Sequence, residues 1–144
     1  MFVEAVDETG GMVVWLFTGR TNTDRDFQAY CESIVRLNAI PTGGWRVAVL
    51  VVDPGNPMPN ARWRKLIADV SREVSSTTFF ILVGNALARG VSTAINWIRQ
   101  PTYVFRTSST FMDAARIAEE VVGKPLPELR ELQARARGVL HEAI

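Results

Sequence analysis

Six consecutive apolar residues, Val47-Ala48-Val49-Leu50-Val51-Val52, constrain what this chain can fold into. A strand with one wet face alternates polar and apolar residues. An unbroken apolar run therefore reads as a strand covered on both faces. It stops at Asp53-Pro54-Gly55-Asn56-Pro57, where proline removes ladder donors and glycine permits positive φ. Asn60 is placed to cap a helix whose apolar residues Trp63, Leu66, Ile67, Val70 and Val74 recur at helical spacing. A buried strand, a tight loop and an amphipathic helix make half of a βαβ unit. That loop is the first place to look for a binding surface.

The rest of the chain repeats the alternation. Phe2–Val6 and Met12–Thr18 read as two strands joined through Gly10-Gly11, a connection short enough for an antiparallel hairpin. Thr23 with Asp26 resembles a capping box for a helix reaching about Asn38, with Phe27, Tyr30, Cys31, Ile34 and Leu37 on one face. Thr77–Val83 is β-branched and aromatic, as strands are. A helical pattern from Leu87 to Arg99 follows, with Leu87, Val91, Ala94, Ile95 and Ile98 as its stripe, and Pro101 stops it. Thr102–Phe105 reads as a short strand. The cluster Thr107-Ser108-Ser109-Thr110 then offers caps for a helix from Phe111 to Val122, closed by Gly123.

The order β-β-α-β-α-β-α-β-α predicts an α/β fold, a single domain built on a mixed, mostly parallel sheet with helices packed on it. That domain takes residues 1–123. Residues 124–144 are set off by Pro125 and Pro127 and read as an appended C-terminal helix, with Leu129, Leu132, Ala136, Val139 and Leu140 as a narrow stripe. The helix is expected either to lie as a lid on the domain or to join copies of the chain.

Composition removes several function classes. A net charge of +1 over 144 residues gives no electrostatic footprint for nucleic acid. Arginine outnumbers lysine 14 to 2, but the arginines are scattered. No apolar run approaches the roughly 18 residues of a membrane span, and the start of the chain lacks a signal-peptide pattern. A cytoplasmic protein without integral membrane association is expected. One cysteine, Cys31, and one histidine, His141, provide no disulfide, metal cluster or triad. Cys31 reads as core, Asp53 as a turn residue before proline, and no glycine-rich phosphate loop is visible. No cofactor is expected.

In its order of elements the chain resembles the STAS superfamily, in the SpoIIAA-like branch of small bacterial proteins. The likeness covers about Phe2 to Val122. It rests on the initial hairpin, the strand ending at Gly19, Asp26 and Tyr30 in the next helix, and the Val-rich strand ending at Asp53. It continues through TTFFILVG and TYVFRTSSTFMDAARIAEEV, with Phe105, Ser109, Ala114 and Ala115 at characteristic places. The resemblance implies a non-catalytic regulatory or scaffolding module that docks a partner protein on the loop after the central strand. The phosphorylatable serine of anti-sigma-factor antagonists has no counterpart in the loop 53–60, which holds no Ser or Thr. Some members of the branch are also similar to the CRAL-TRIO lipid-binding fold, so an apolar-ligand pocket stays open as the alternative.

Two candidate sites follow. Gly55, Asn56, Met58, Asn60 and Trp63 would form the partner-docking surface, with Met58 exposed between prolines and Trp63 mostly core. Arg20, Asn56, Asn85 and Arg106 each follow the carboxyl end of an expected strand. Ligands bind open α/β sheets at that edge, at topological switch points, and two arginines with two amides suit a carboxylate or phosphate.

Overall fold

The sheet follows the order of the chain: β1 (Phe2–Asp7), β2 (Met12–Phe17), β3 (Arg46–Val52), β4 (Thr78–Val83) and β5 (Val104–Ser108). β1 is antiparallel to β2, and every later pair is parallel, in register from Met12↔Val47 and Val47↔Phe79 onward. The computed structural model describes residues 1–98 and 101–142, with side chains described up to 93 and from 101 to 138. The expectations for the side chains of Ala94, Ile95, Ile98, Val139, Leu140 and His141, and for the ends at Arg99 and Ile144, lie outside the described residues.

The apolar runs behave as two-faced strands. Val14, Leu16, Val49, Val51, Phe79 and Ile81 enter one core, and Val13, Trp15, Ala48, Leu50, Phe80 and Leu82 enter the other. Helices α1 (Asp24–Ala39), α2 (Ala61–Ser71) and α3 (Ala86–Ile98) cover the second of these faces. Each parallel crossover advances one strand in the same direction, and right-handed connections of that kind leave their helices on one side. The chain then turns back. α4 (Phe111–Val122) and α5 (Pro127–Glu142) cover the other face. The fold is therefore the expected α/β domain with a mixed, mostly parallel sheet.

The caps were legible. Thr23 accepts from Asp26 N at 3.2 Å while the Asp26 carboxylate accepts from Thr23 N at 2.8 Å, a complete capping box. Asn60 accepts from Trp63 N at 3.0 Å. Gly123, at φ 85°, closes α4.

Several boundaries differ, each for a local reason. β5 begins at Val104 and runs to Ser108, so Arg106 lies inside the strand, opposite Ile81, rather than after it. Ser108 stays in the strand, where its hydroxyl donates to Asp113, and Thr110 supplies the cap. α2 ends at Ser71, and Val74 is buried from the loop beyond it. Leu87 is 66% exposed. Its neighbour Ala88, 2% exposed, is the residue that faces the sheet.

α5 folds back onto β1 and β2. Leu126, Leu129, Leu132 and Ala136 join the same core as Ala114, Ala115 and Ala118 of α4. The described part of its apolar stripe is thus used inside the chain rather than left for a second copy. Glu119 ties the two helices together, accepting from Leu126 N at 2.7 Å and pairing with Arg130 at 3.3 Å. No helix among the described residues is long and apolar enough to cross a membrane.

Candidate functional site

The carboxyl ends of β2, β3 and β4 carry the loops of residues 18–23, 53–60 and 84–85. The middle loop is built by its sequence. Asn56 N donates to Asp53 O at 3.1 Å, closing a turn in which Gly55 sits at φ 86°. A side chain at that φ is strained, which is why glycine stands after proline here. Replacing Gly55 with valine is expected to cost about 1–2 kcal/mol of stability, read as a lowered urea midpoint.

Asn56 is buried, 7% exposed, and joins the two loops. Its amide nitrogen donates to Thr18 O and Gly19 O, both at 3.1 Å, and to Asn22 Oδ1 at 3.0 Å. In return its oxygen accepts from Asn22 Nδ2 at 2.8 Å. Its amide hydrogens are spent within the chain.

Asp53 meets α5. Arg137 donates to both carboxylate oxygens, at 2.6 and 2.8 Å, and Thr18 Oγ1 donates at 2.8 Å. The Arg137 hydrogen bonds, against an opposing effect of burial, hold the Asp53 carboxyl below its ordinary value. The folded carboxyl is then the stronger acid. Its contribution is complete above the unfolded value of 3.8 and is lost as pH falls through the lower folded value. Asp53→Asn is expected to cost about 1–2 kcal/mol at neutral pH, since the pair is only partly buried. In urea unfolding, the gap from wild type should narrow as pH falls below 3.8.

Trp63 is 6% exposed. It stacks on Phe27 with centroids 5.6 Å apart, donates from Nε1 to Asp24 at 2.8 Å, and lies under the Arg62 guanidinium. Of the expected docking residues, Asn56 and Trp63 are therefore interior. Gly55 and Asn60 are exposed and Met58 is half-buried.

The four expected anion ligands are not brought together. Arg20 is exposed in its loop, and Asn85 caps α3 by accepting from Ala88 N at 3.0 Å. Asn56 is engaged as described. Arg106 shares the sheet face of Ile81, opposite Phe80 and Phe105. The sheet order also runs from β1 to β5 without reversal, so it contains no topological switch point.

At this edge the structure forms a different site. An apolar pocket of about 80 Å³ lies between the sheet, the loop 53–60 and the helices α1, α2 and α3. Phe17, Phe27, Tyr30, Phe80, Tyr103 and Phe105 line it, with Leu50, Leu82 and Val91, and Pro57-Met58-Pro59 bound it on the loop side. The rings touch in sequence: Phe27 to Phe17 at 5.6 Å, Phe17 to Tyr30 at 5.3 Å, and Phe80 to Phe105 and Tyr103 at 5.6 and 5.7 Å. No charged residue is among those lining it. Burial pushes the Tyr30 phenol well up, helped by Tyr103 and Cys31, and burial also raises Tyr103 against a Ser71 hydrogen bond. Both phenols are neutral. Cys31, beside this core, is pushed up to about 11 by burial and Glu32, so its thiol is not an activated nucleophile.

An open groove of about 300 Å³ lies near Val6, Leu37 and Ile40, at the other end of α1. Two of its polar residues are engaged: Ser33 accepts from Trp15 and donates to Glu4, and Arg36 pairs with Glu4 at 2.6 Å.

Sequence reasoning missed the aromatic lining because its members come from β2, α1, β4 and β5 and share no spacing. The available signal was the set of aromatics in and beside the strands, Phe17 at the carboxyl end of β2 above all. Comparison with family models, with curated proteins and with solved structures finds no match for this chain.

Proposed function

We propose that this chain is a non-catalytic binding domain that holds a small apolar molecule in the aromatic pocket. One observation carries the reading: the pocket is uncharged, ring-lined and bounded by the loop 53–60, the apolar, concave kind of site that small ligands use. Its lining includes no carboxylate, imidazole or thiol to form an acid–base or nucleophilic pair. A thermal-shift screen of small neutral apolar compounds tests it. A compound at about 100 times its dissociation constant stabilises by about 2.7 kcal/mol, and Val91→Phe, which narrows the pocket, is expected to abolish the shift. If no compound raises the melting temperature of the wild type, the reading fails.

The second reading is the regulatory, STAS-like module that docks a partner protein. The hairpin-led, mostly parallel sheet supports the likeness, and Leu87, 66% exposed beside the pocket, supports an apolar contact surface together with Met58. Because Asn56 and Trp63 are interior, the variant that probes this surface is Met58→Asp with Leu87→Asp. Under this reading a partner held by the wild type is released by the folded double variant. Retention of that partner would remove the loop and α3 as its docking surface.

A further inference from the structure

A sheet whose strands follow the chain order has two edges, β1 and β5, each with backbone groups that no neighbouring strand meets. Met1 and Thr18 exchange both backbone bonds, so by alternation Phe2, Glu4 and Val6 turn theirs outward from β1. That edge is closed at both ends. Phe2 N donates to the Asp26 carboxylate at 3.1 Å, and Val6 O accepts from Arg135 of α5 at 3.4 Å.

At β5 the phase is fixed by Ser108 O, which accepts from Gly84 N at 3.0 Å. Ser108, Arg106 and Val104 therefore spend their backbone groups on β4, and Phe105 and Thr107 point theirs away from the sheet. Among the described residues, no group meets the N–H of Phe105 or either backbone group of Thr107. Phe105 O accepts from the Arg106 guanidinium at 2.9 Å, a side-chain donor standing where the N–H of a further strand would come. Arg106 and Thr107 are exposed.

The side chains narrow the partner. Arg106 is a cation with no paired carboxylate among the described residues. On the other face of the strand, Phe105 is half-buried and offers part of its ring. A second copy of this chain fits poorly. Twofold pairing is antiparallel, and the register that uses both Phe105 and Thr107 sets Arg106 directly against its own copy, where like charges repel.

We infer that β5 is a docking edge for an extended, acidic segment of a partner protein. The segment adds as a further strand, with a carboxylate opposite Arg106 and, one residue along, an apolar side chain beside Phe105. This docking does not depend on a ligand in the aromatic pocket.

The test uses two peptides as probes, one alternating glutamate with valine and one alternating lysine with valine, and follows amide hydrogen exchange by NMR. Wild type is expected to bind the glutamate peptide saturably, with new protection at the Phe105 and Thr107 amides and none at Glu4 of β1. The lysine peptide is expected to bind about 3- to 10-fold more weakly, since the pair across Arg106 turns from attractive to repulsive. Arg106→Glu is expected to invert that preference with an unchanged melting temperature. Thr107→Pro removes an outward N–H without touching the bonds to β4, as proline on an edge strand can. It is expected to weaken the glutamate peptide about 3- to 10-fold. Should Thr107→Pro unfold, the inversion by Arg106→Glu decides alone. If neither peptide protects those amides, if both bind equally well, or if folded Thr107→Pro binds as well as wild type, the inference is overturned. Protection of the same amides in wild type alone, growing with its concentration, would overturn it in favour of a second copy.

Discussion

Trp63→Ala is expected to remove about 3–5 kcal/mol of folding stability, the range for deleting a large buried aromatic side chain. The indole is 6% exposed, its stack on Phe27 is lost, and the Asp24 carboxylate loses the Nε1 donor. A domain of this size is commonly stable by only about 5–15 kcal/mol, so the variant should unfold at a much lower urea concentration. Trp63→Phe separates the causes. It keeps the stack and loses the hydrogen bond, so about half or more of the stability should return. Phe27 and Ile67, which line the pocket, pack in the same core as Trp63. The alanine variant should therefore bind pocket ligands poorly even where it stays folded. A docking tryptophan would behave in the opposite way, with normal stability and a lost partner.

Asn56→Ala is expected to cost about 1–3 kcal/mol, because it removes the buried amide that joins the two loops and leaves Gly19 O without its donor. Thr18 O and Gly19 O each lose a donor, and the Asn22 amide loses its reciprocal partner. Asn56→Asp tests the direction of the bonds. A carboxylate can still accept from Asn22 but cannot donate to the two carbonyls, so it should rescue little. Denaturant unfolding of the three proteins gives the ranking: wild type first, then Asp and Ala well below it. Equal stability of wild type and Asn56→Ala would show that the loops are held by other means.

How much of this was written in the sequence depends on the range over which each signal acts. The strand cores of β2, β3 and β4 were legible because burial on both faces leaves a local mark, an unbroken apolar run. The caps Thr23, Asn60 and Thr110 act within three residues, so they too could be read. The site was less legible. Asn56 was noticed as a turn residue with a free amide, but its partners lie 34 to 38 residues away, and only the packing of two loops reveals them. The Asp53–Arg137 pair spans 84 residues. Arg106 was misplaced because β5 ends at Ser108, three residues beyond the expected Phe105, and alternation within the strand puts it on the face of Ile81, away from the pocket. The pocket lining alternates with the other core along each strand, so single-strand patterns could not separate the two.

The strict strand order has a consequence for how the chain is made. Each new strand emerging in synthesis pairs with the one just before it, and α1, α2 and α3 can cover their face as they appear. The opposite face waits. Val3, Ala5, Val14, Leu16, Val49 and Ile81 have their cover in α4 and α5, which come last in the sequence. Until those two helices dock, a completed sheet presents a bare apolar surface, the kind of transient exposure that leads nascent chains to aggregate. A ribosome stalled between β5 and α4 would hold that one-sided intermediate.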